Sequence, residues 1–160
     1  RIIEIGLQNT KVNNLLPDLK GTNSSSAKDL SLLIALVDSG DLLSRKSRDL
    51  FREIMSTSKS NNLIPAGILK KVAPSKGNID YKLLIKGYRI YNKTGDIGIA
   101  YADAALIQMP DNTRAVACFI VKGSFNDPRS SNLIRDMAGA IVKVANPLTI
   151  KDSNEITKSP

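Results

Sequence analysis

Three consecutive residues, Lys93, Thr94 and Gly95, could together bind an anion. The lysine supplies a positive charge, the threonine supplies a hydroxyl donor, and the glycine leaves the backbone open to close approach by a ligand. This Lys-Thr-Gly segment stands between two runs of β-forming residues, which places it at the edge of a predicted strand. The sequence therefore predicts a site for a substrate carboxylate at residues 93–95.

The residue types that are missing narrow the possible chemistry. The 160 residues include no histidine, which excludes Ser-His-Asp and Cys-His catalytic groups and the usual zinc sites. Cys118 lies in the apolar run 116–121 and is expected to be a buried thiol, neither nucleophile nor ligand. A single cysteine also excludes a disulfide within the chain. We expect no metal and no other cofactor.

The charge and hydropathy of the chain bear on its partners. The net charge is +8 and the pI is near 9.7, but lysine and arginine are spread along the chain and only 4% of residues are aromatic. Because stacking platforms and basic strips are lacking, we predict a solvated basic surface and no nucleic-acid partner. No apolar run is long enough to cross a bilayer, so we predict no membrane span in this chain.

The first half of the chain is expected to be mostly helical. Ser26 and Asp29 form a capping box at the start of a helix predicted over 27–39, and Gly40 is suited to end it. A second helix is predicted after Ser44. Its apolar face would consist of Leu50, Phe51, Ile54 and Met55.

Strands are expected to follow a short helix around residues 68–72. The β-rich runs are 81–93, 102–109 and 113–122. Pro110, Asp111 and Asn112 are turn-forming residues between the last two runs, which predicts an antiparallel hairpin.

A long helix is predicted near the C-terminus. Asp127 is suited to its N-cap and Pro128 to its first position, and apolar residues recur at helical spacing until Pro147. The element order predicts an α+β fold, in which an antiparallel sheet of three strands is covered by the C-terminal helix and preceded by helices. The expected domain covers 1–147, mostly helical over 1–78 and sheet plus terminal helix over 79–147, and a polar tail covers 148–160.

This order of elements resembles the C-terminal part of serine β-lactamases, class A in particular, and of penicillin-binding proteins. The resemblance covers about residues 1 to 145 and implies an incomplete β-lactamase/transpeptidase-like fold that includes part of the family's all-α region. Its supporting features are the Lys-Thr-Gly segment, the hairpin over 104–121, the closing helix over 128–144, a stretch over 5–10 and 26–30 like the Ω-loop and its following helix, and an interhelical turn over 40–44.

The resemblance implies a role for each residue of the segment. Lys93 would be the catalytic anchor and a member of the proton network, and Thr94 would hold the substrate carboxylate with it. Gly95 would let the substrate approach the strand, and the backbone N–H of Asp96 would be one donor of the oxyanion hole.

The implied function is part of a serine acyl-transfer hydrolase that acts on β-lactams or D-alanyl peptides, located outside the cytoplasm. The alternative is a non-catalytic binding or interaction domain derived from the same fold. The partner implied for the first function is a β-lactam or a peptidoglycan-type peptide.

The serine nucleophile that the family needs is not convincingly supplied. Ser-x-x-Lys occurs at 25–28 and at 56–59, and Ser-x-Asn at 60–62. A chain rich in serine and lysine produces such matches by accident. Ser25 belongs to a helix cap, and residues 56–62 place the Ser-x-x-Lys and Ser-x-Asn motifs next to each other, whereas the family separates them in sequence. We therefore expect the nucleophile outside these residues, which would be the C-terminal part of a larger protein.

The loop predicted over 10–21 lacks the glutamate that class A enzymes use to activate the hydrolytic water. No glutamate occurs between Glu4 and Glu53, and the only carboxylate of the loop is Asp18, which is typical of a turn after Pro17. Deacylation is expected to be slow unless Asp18 or a group elsewhere substitutes. This favours a penicillin-binding or peptidase-like relative over an efficient β-lactamase.

The strand predicted over 113–122 is expected to have an open edge. In the family this strand pairs with an N-terminal strand that the chain does not contain, and an open apolar edge favours pairing. We expect a second polypeptide, an exchanged copy or a rearranged part of the chain to complete the sheet.

Overall fold

The computed structural model describes residues 2–16, 18, 21–57, 62–73, 78–96 and 98–145. The elements within these ranges confirm the predicted α+β class. In chain order they are α1 Ala27–Ser39, α2 Arg45–Ser56, α3 Ile64–Val72, α4 Ile79–Ile85, β1 Arg89–Asp96, β2 Ala100–Gln108, β3 Arg114–Lys122 and α5 Pro128–Ala145. None of these helices is both long and apolar enough to traverse a bilayer. Pro147 and the tail predicted over 148–160 lie outside the described residues.

The three strands form one antiparallel sheet in the order β1-β2-β3. The turn between β2 and β3 is the predicted one, because the Met109 N–H donates to the Thr113 carbonyl oxygen at 2.9 Å. Asn112 takes a left-handed conformation with φ of 64° in this turn, which asparagine tolerates better than most residues.

Helices cover both faces of the sheet. On one face, α3 and α5 bury Ile68 and Ile134 against Ala105 and Ile107 of β2. Leu106 points to the opposite face because side chains alternate along a strand, and α1 contacts β2 and β3 there. The prediction that the C-terminal helix covers the sheet is therefore confirmed.

The first two helices begin at the predicted caps. The Ser26 hydroxyl accepts from the Asp29 N–H at 3.1 Å, and the Ser44 hydroxyl accepts from the Ser47 N–H at 3.3 Å. The apolar face predicted for α2 is not a core face, since no residue of α2 is buried and Leu50 is 54% exposed. Polar residues dominate the sequence of α2, so it lies on the surface.

The strand predicted over 81–93 is wrong in its first half, where the structure has α4. Gly87, at a φ of 80°, ends this helix in a left-handed conformation. The Gly87 and Tyr88 N–H groups donate back to the Leu84 and Leu83 carbonyl oxygens, each at 2.9 Å. The helical conformation buries Leu83 in the core, and the strand begins only at Arg89.

Candidate functional site

The Lys-Thr-Gly segment lies near the end of β1, on an edge of the sheet. β1 pairs with β2 along one side, and within the described ranges no strand pairs with its other side. Backbone groups on an unpaired strand edge are available to an extended ligand. The prediction of a strand-edge position for residues 93–95 is confirmed.

Lys93 and Thr94 point to opposite faces of β1 because they are consecutive strand residues. The Lys93 side chain is exposed, and its Nζ donates to the Thr94 carbonyl oxygen. Thr94 is half-buried directly opposite Asp103 of β2. Because the Lys93 ammonium group returns to the Thr94 carbonyl oxygen, an exposed cation and a residue with a hydroxyl group are adjacent at this edge.

Gly95 leaves open space at the strand edge. A Cβ atom at this position would have the Ala102 Cβ as its nearest neighbour, at 3.9 Å, which is ordinary van der Waals contact. The fold would therefore accept a larger residue here. Glycine leaves this part of the strand edge without a side chain.

Asp96 and Tyr101 form the end of the β1–β2 pair and lie directly opposite one another. The Asp96 carboxylate accepts from the Gly98 N–H at 3.2 Å, and the Tyr101 hydroxyl donates to the Asn126 side-chain oxygen at 3.2 Å. Burial, followed by the hydrogen bond and negative charge of Asp96, raises the pKa of Tyr101. The phenol therefore remains a neutral donor beside the segment.

Asp103 is a buried carboxyl beneath the segment that sequence reasoning missed. Its oxygens accept from the Asn92 amide at 3.0 and 3.3 Å and from the Ile64 N–H at 2.9 Å. Burial raises the pKa of Asp103 to about 6, although these hydrogen bonds act in the opposite direction. The available signal was one carboxylate within the otherwise apolar run 102–107.

The serine candidates at 25–28 have structural roles. Ser25 shares a hydrogen bond of 2.9 Å with the Thr10 hydroxyl, Ser26 caps α1, and Lys28 is exposed. The candidates at 56–59 and 60–62 fall partly outside the described residues. Ser56 itself donates to the Glu53 carbonyl oxygen at the end of α2.

Asp18 is held within its own loop. Its carboxylate accepts from the Asn23 N–H at 2.6 Å, from the Thr22 hydroxyl at 3.1 Å and from the Asn14 amide at 3.4 Å. These hydrogen bonds, the Asn23 N–H foremost, keep the pKa of Asp18 below its usual value. A carboxylate engaged in this way is a poor general base.

The base of the same loop is attached to α1. The Asn9 N–H and the Thr10 hydroxyl donate to Asp29 at 2.7 and 2.8 Å, and a backbone bridge joins Lys11 to Ser24. Asp29 is 2% exposed. The loop is therefore closed at its base by a buried carboxylate.

Cys118 is not arranged for nucleophilic or metal chemistry. It is half-buried in β3, where burial and the nearby Asp103 raise the pKa of its thiol to about 11. In the described ranges, no three cysteine, aspartate or glutamate side chains are grouped to hold a metal ion. The thiol is neutral at ordinary pH.

Comparison with known proteins yields one matching family model. Residues 1–145 match the model described as the beta-lactamase enzyme family. No curated protein sequence matches the chain.

Several solved structures are similar to this one. The structure of PBP-A is 41% identical with a TM-score of 0.77, and the match covers 92% of this chain and 49% of that chain. A mutant of PBP-A, in an acyl-enzyme complex with penicillin G, is 40% identical with a TM-score of 0.76 and coverages of 92% and 50%. A β-lactamase from Francisella tularensis shares the fold at 21% identity, with a TM-score of 0.69 and coverages of 94% and 54%.

The chain thus spans about half the length of the solved structures that it matches. Its α+β architecture, the strand-edge position of residues 93–95 and the family match over 1–145 agree with one another. The chain belongs to the beta-lactamase enzyme family.

Proposed function

We propose that these residues are the carboxylate-recognising part of a serine acyl-transfer hydrolase that acts on β-lactams or D-alanyl peptides. The observation that carries this proposal is the exposed Lys93 beside Thr94 and the uncrowded Gly95 on an unpaired edge. An acyl-enzyme complex with penicillin G in a relative 40% identical supports the substrate class.

In the proposed reaction, a serine oxygen attacks the carbonyl carbon of the scissile amide. A base takes the proton of the serine hydroxyl, the C–N bond breaks, and that proton passes to the leaving nitrogen while the acyl group stays on the serine. Lys93 and Thr94 would hold the substrate carboxylate, and the Asp96 N–H would stabilise the oxyanion. The serine and its base would come from outside this chain.

The proposal also covers the organisation of the protein. Residues 1–147 would form the C-terminal part of one β-lactamase-like domain that works outside the cytoplasm. A second polypeptide or an exchanged copy would complete the sheet at the β3 edge, which has no strand partner among the described residues. Measurement of the mass of the purified chain in solution, with and without upstream sequence, tests whether a second copy or polypeptide completes the sheet.

A second candidate function is a non-catalytic binding domain. It is favoured by the engagement of Asp18 with Asn14, Thr22 and Asn23, which leaves the described part of the loop without a carboxylate ready to activate water. Such a domain would bind a carboxylate ligand without forming a covalent bond.

Labelling of the complete polypeptide with a fluorescent penicillin, together with nitrocefin turnover, separates the two candidates. We expect covalent labelling of the wild type. In Lys93→Ala, labelling should be at least about tenfold lower because the contact to the anion is removed. Lys122→Ala removes an equal charge from another exposed strand position and should label normally. A folded protein that neither labels nor turns over the substrate would refute the enzymatic proposal.

A further inference from the structure

Asp103 lies at the centre of the sheet and is completely buried. It stands in β2 directly opposite Thr94 and on the same face of the sheet, with Asn92 two residues earlier in β1. A buried carboxylate is costly unless it is well hydrogen-bonded, so its position calls for a specific reason.

The carboxylate caps a helix that is distant in sequence. The Ile64 N–H, at the first position of α3, donates to Asp103 Oδ2 at 2.9 Å. Leu63, the N-cap residue, has an apolar side chain that cannot accept this bond. A negative charge is also favourable at a helix N-terminus.

The same carboxylate holds the strand that carries the candidate site. Asn92 is 3% exposed, and its amide donates to Asp103 Oδ1 at 3.0 Å. Since Asn92 immediately precedes Lys93, this bond fixes the backbone at the start of the Lys-Thr-Gly segment. Asp103 thus joins α3, β1 and β2 at one point.

We propose that Asp103 is a positioning residue for the carboxylate-binding segment. By accepting from Ile64 and Asn92 together, it sets the position of Lys93 and Thr94 relative to the N-terminus of α3. The consequence for acylation rests on the proposed function, whereas the positioning itself does not.

The protonation state of Asp103 provides a way to test this. Among the residues that the structure describes, the charged or titratable groups that act on it are Lys93 of β1, which favours the ionised form, and Cys118 of β3, which is neutral at ordinary pH. From α3 it faces a backbone N–H, and the basic residues of that helix lie in its last turn.

Protonation weakens the junction. Both partners, Ile64 and Asn92, are donors, so an oxygen that carries a proton is a poorer acceptor for one of them. With a pKa of about 6, the carboxyl changes state within an accessible pH range.

The direct experiment follows backbone amide chemical shifts between pH 4.5 and 8 in the complete polypeptide. We expect the Ile64, Thr94 and Gly95 amides to shift together with a midpoint near 6. This transition should disappear in Asp103→Asn and persist in Asp136→Asn, which changes an exposed carboxylate of α5. Gly95 decides the outcome, because Thr94 lies directly opposite Asp103 and senses its charge in any case. If Ile64 titrates but Gly95 does not, Asp103 is structural only and the proposal is overturned.

Asn92→Ala separates the contact of Asp103 with Asn92 from its contact with Ile64. It also provides the test if Asp103→Asn does not fold. It removes the bond to β1 and leaves the bond to α3, so Ile64 should still titrate while Gly95 no longer follows. Thr94 lies directly opposite Asp103 and responds to its charge in either case. An unchanged response of Gly95 in this variant would overturn the proposed route through Asn92.

Penicillin labelling adds the functional readout. We expect the acylation rate of the wild type to fall as the pH is lowered through about 6, because protonation of Asp103 weakens the junction. In Asp103→Asn this dependence should vanish and the rate at pH 7.5 should fall by about tenfold or more, since misplaced binding groups are costly. An unlabelled wild type would refute the proposed function, and the amide titration would still decide the positioning role.

Discussion

Gly67 of α3 packs directly against the backbone of Arg135 in α5: a Cβ atom at position 67 would lie 2.2 Å from the Arg135 carbonyl oxygen. Gly139 of α5 lies where the two helices cross, and a Cβ atom at this position would be 3.1 Å from the Gly67 carbonyl oxygen. The two helices therefore approach closely because glycine occupies both positions, and this packing supports one face of the sheet.

Gly67→Ala should strongly destabilise the protein. The added methyl group meets backbone, which cannot move aside as a side chain can, so we expect a loss of at least about 2 kcal/mol in the free energy of unfolding. Urea unfolding followed by circular dichroism measures it. Gly139→Ala is the matched control and should cost less, since its closest contact is longer. Equal losses in the two variants would contradict this account of the crossing.

Gly95→Ala should separate function from stability. Its Cβ would meet only the Ala102 Cβ at 3.9 Å, so the unfolding free energy should change by less than about 1 kcal/mol. The methyl group would nevertheless occupy the clearance proposed for the substrate. We expect penicillin labelling to fall by about tenfold or more. Unchanged labelling in the folded variant would show that a ligand does not approach the strand there.

Asp38→Asn should weaken the junction between α1, α2 and β3. The Asp38 carboxylate is 12% exposed and accepts from Arg52 at 2.7 Å and from Arg114 at 3.0 Å. We expect a loss of about 1 to 2 kcal/mol in unfolding free energy, because two charge-assisted hydrogen bonds are weakened. Asp49→Asn is the control, since Asp49 is 62% exposed and its contact to Arg52 is 3.4 Å long. A loss in Asp49→Asn as large as in Asp38→Asn would refute the assignment.

Stability should depend on pH through Asp103. Burial raises the pKa of Asp103 from 3.8 to about 6, so folding favours the protonated carboxyl even though protonation weakens its contacts to Ile64 and Asn92. This stabilisation is fully present below pH 3.8 and is lost as pH rises through 6. The unfolding free energy of the wild type relative to Asp103→Asn should therefore fall between pH 4 and pH 7, by on the order of 2 kcal/mol. Urea titrations at several pH values measure this difference. A difference that rises with pH would contradict the assignment.

Asp18→Ala should loosen the loop without changing its chemistry. The Asn23 N–H loses its acceptor, so its hydrogen exchange should accelerate, while loss of the acyl group from the labelled enzyme should be unaffected. Asp41→Ala alters an exposed carboxylate outside the loop and should leave the exchange of Asn23 unchanged. Slower deacylation in Asp18→Ala would instead identify Asp18 as a base.

Local signals predicted several elements well. The capping box at Ser26 and Asp29 and the turn residues before Thr113 each act over a few positions, so α1 and the β2–β3 hairpin could be placed from sequence. The segment 79–85 could not, because its apolar residues suit a helix or a strand equally and a local pattern does not report packing against α3 and β1.

The candidate site was predictable only in part. The residue types of 93–95 indicated anion binding, and their place on a strand edge followed from the flanking β-rich runs. Asp103 was missed because its partner Ile64 lies 39 positions away, and no local pattern reports such a contact.

The connection of the three strands has a consequence for folding kinetics. Each strand pairs with its neighbour in sequence. β2 and β3 can therefore begin to pair at the turn at Pro110, where only a short loop has to close. β1 then extends the same sheet without waiting for a distant partner. The strand that carries Lys93 therefore needs no long-range strand pairing to assemble, and we expect it to form early while the contact of α3 with Asp103 is made late.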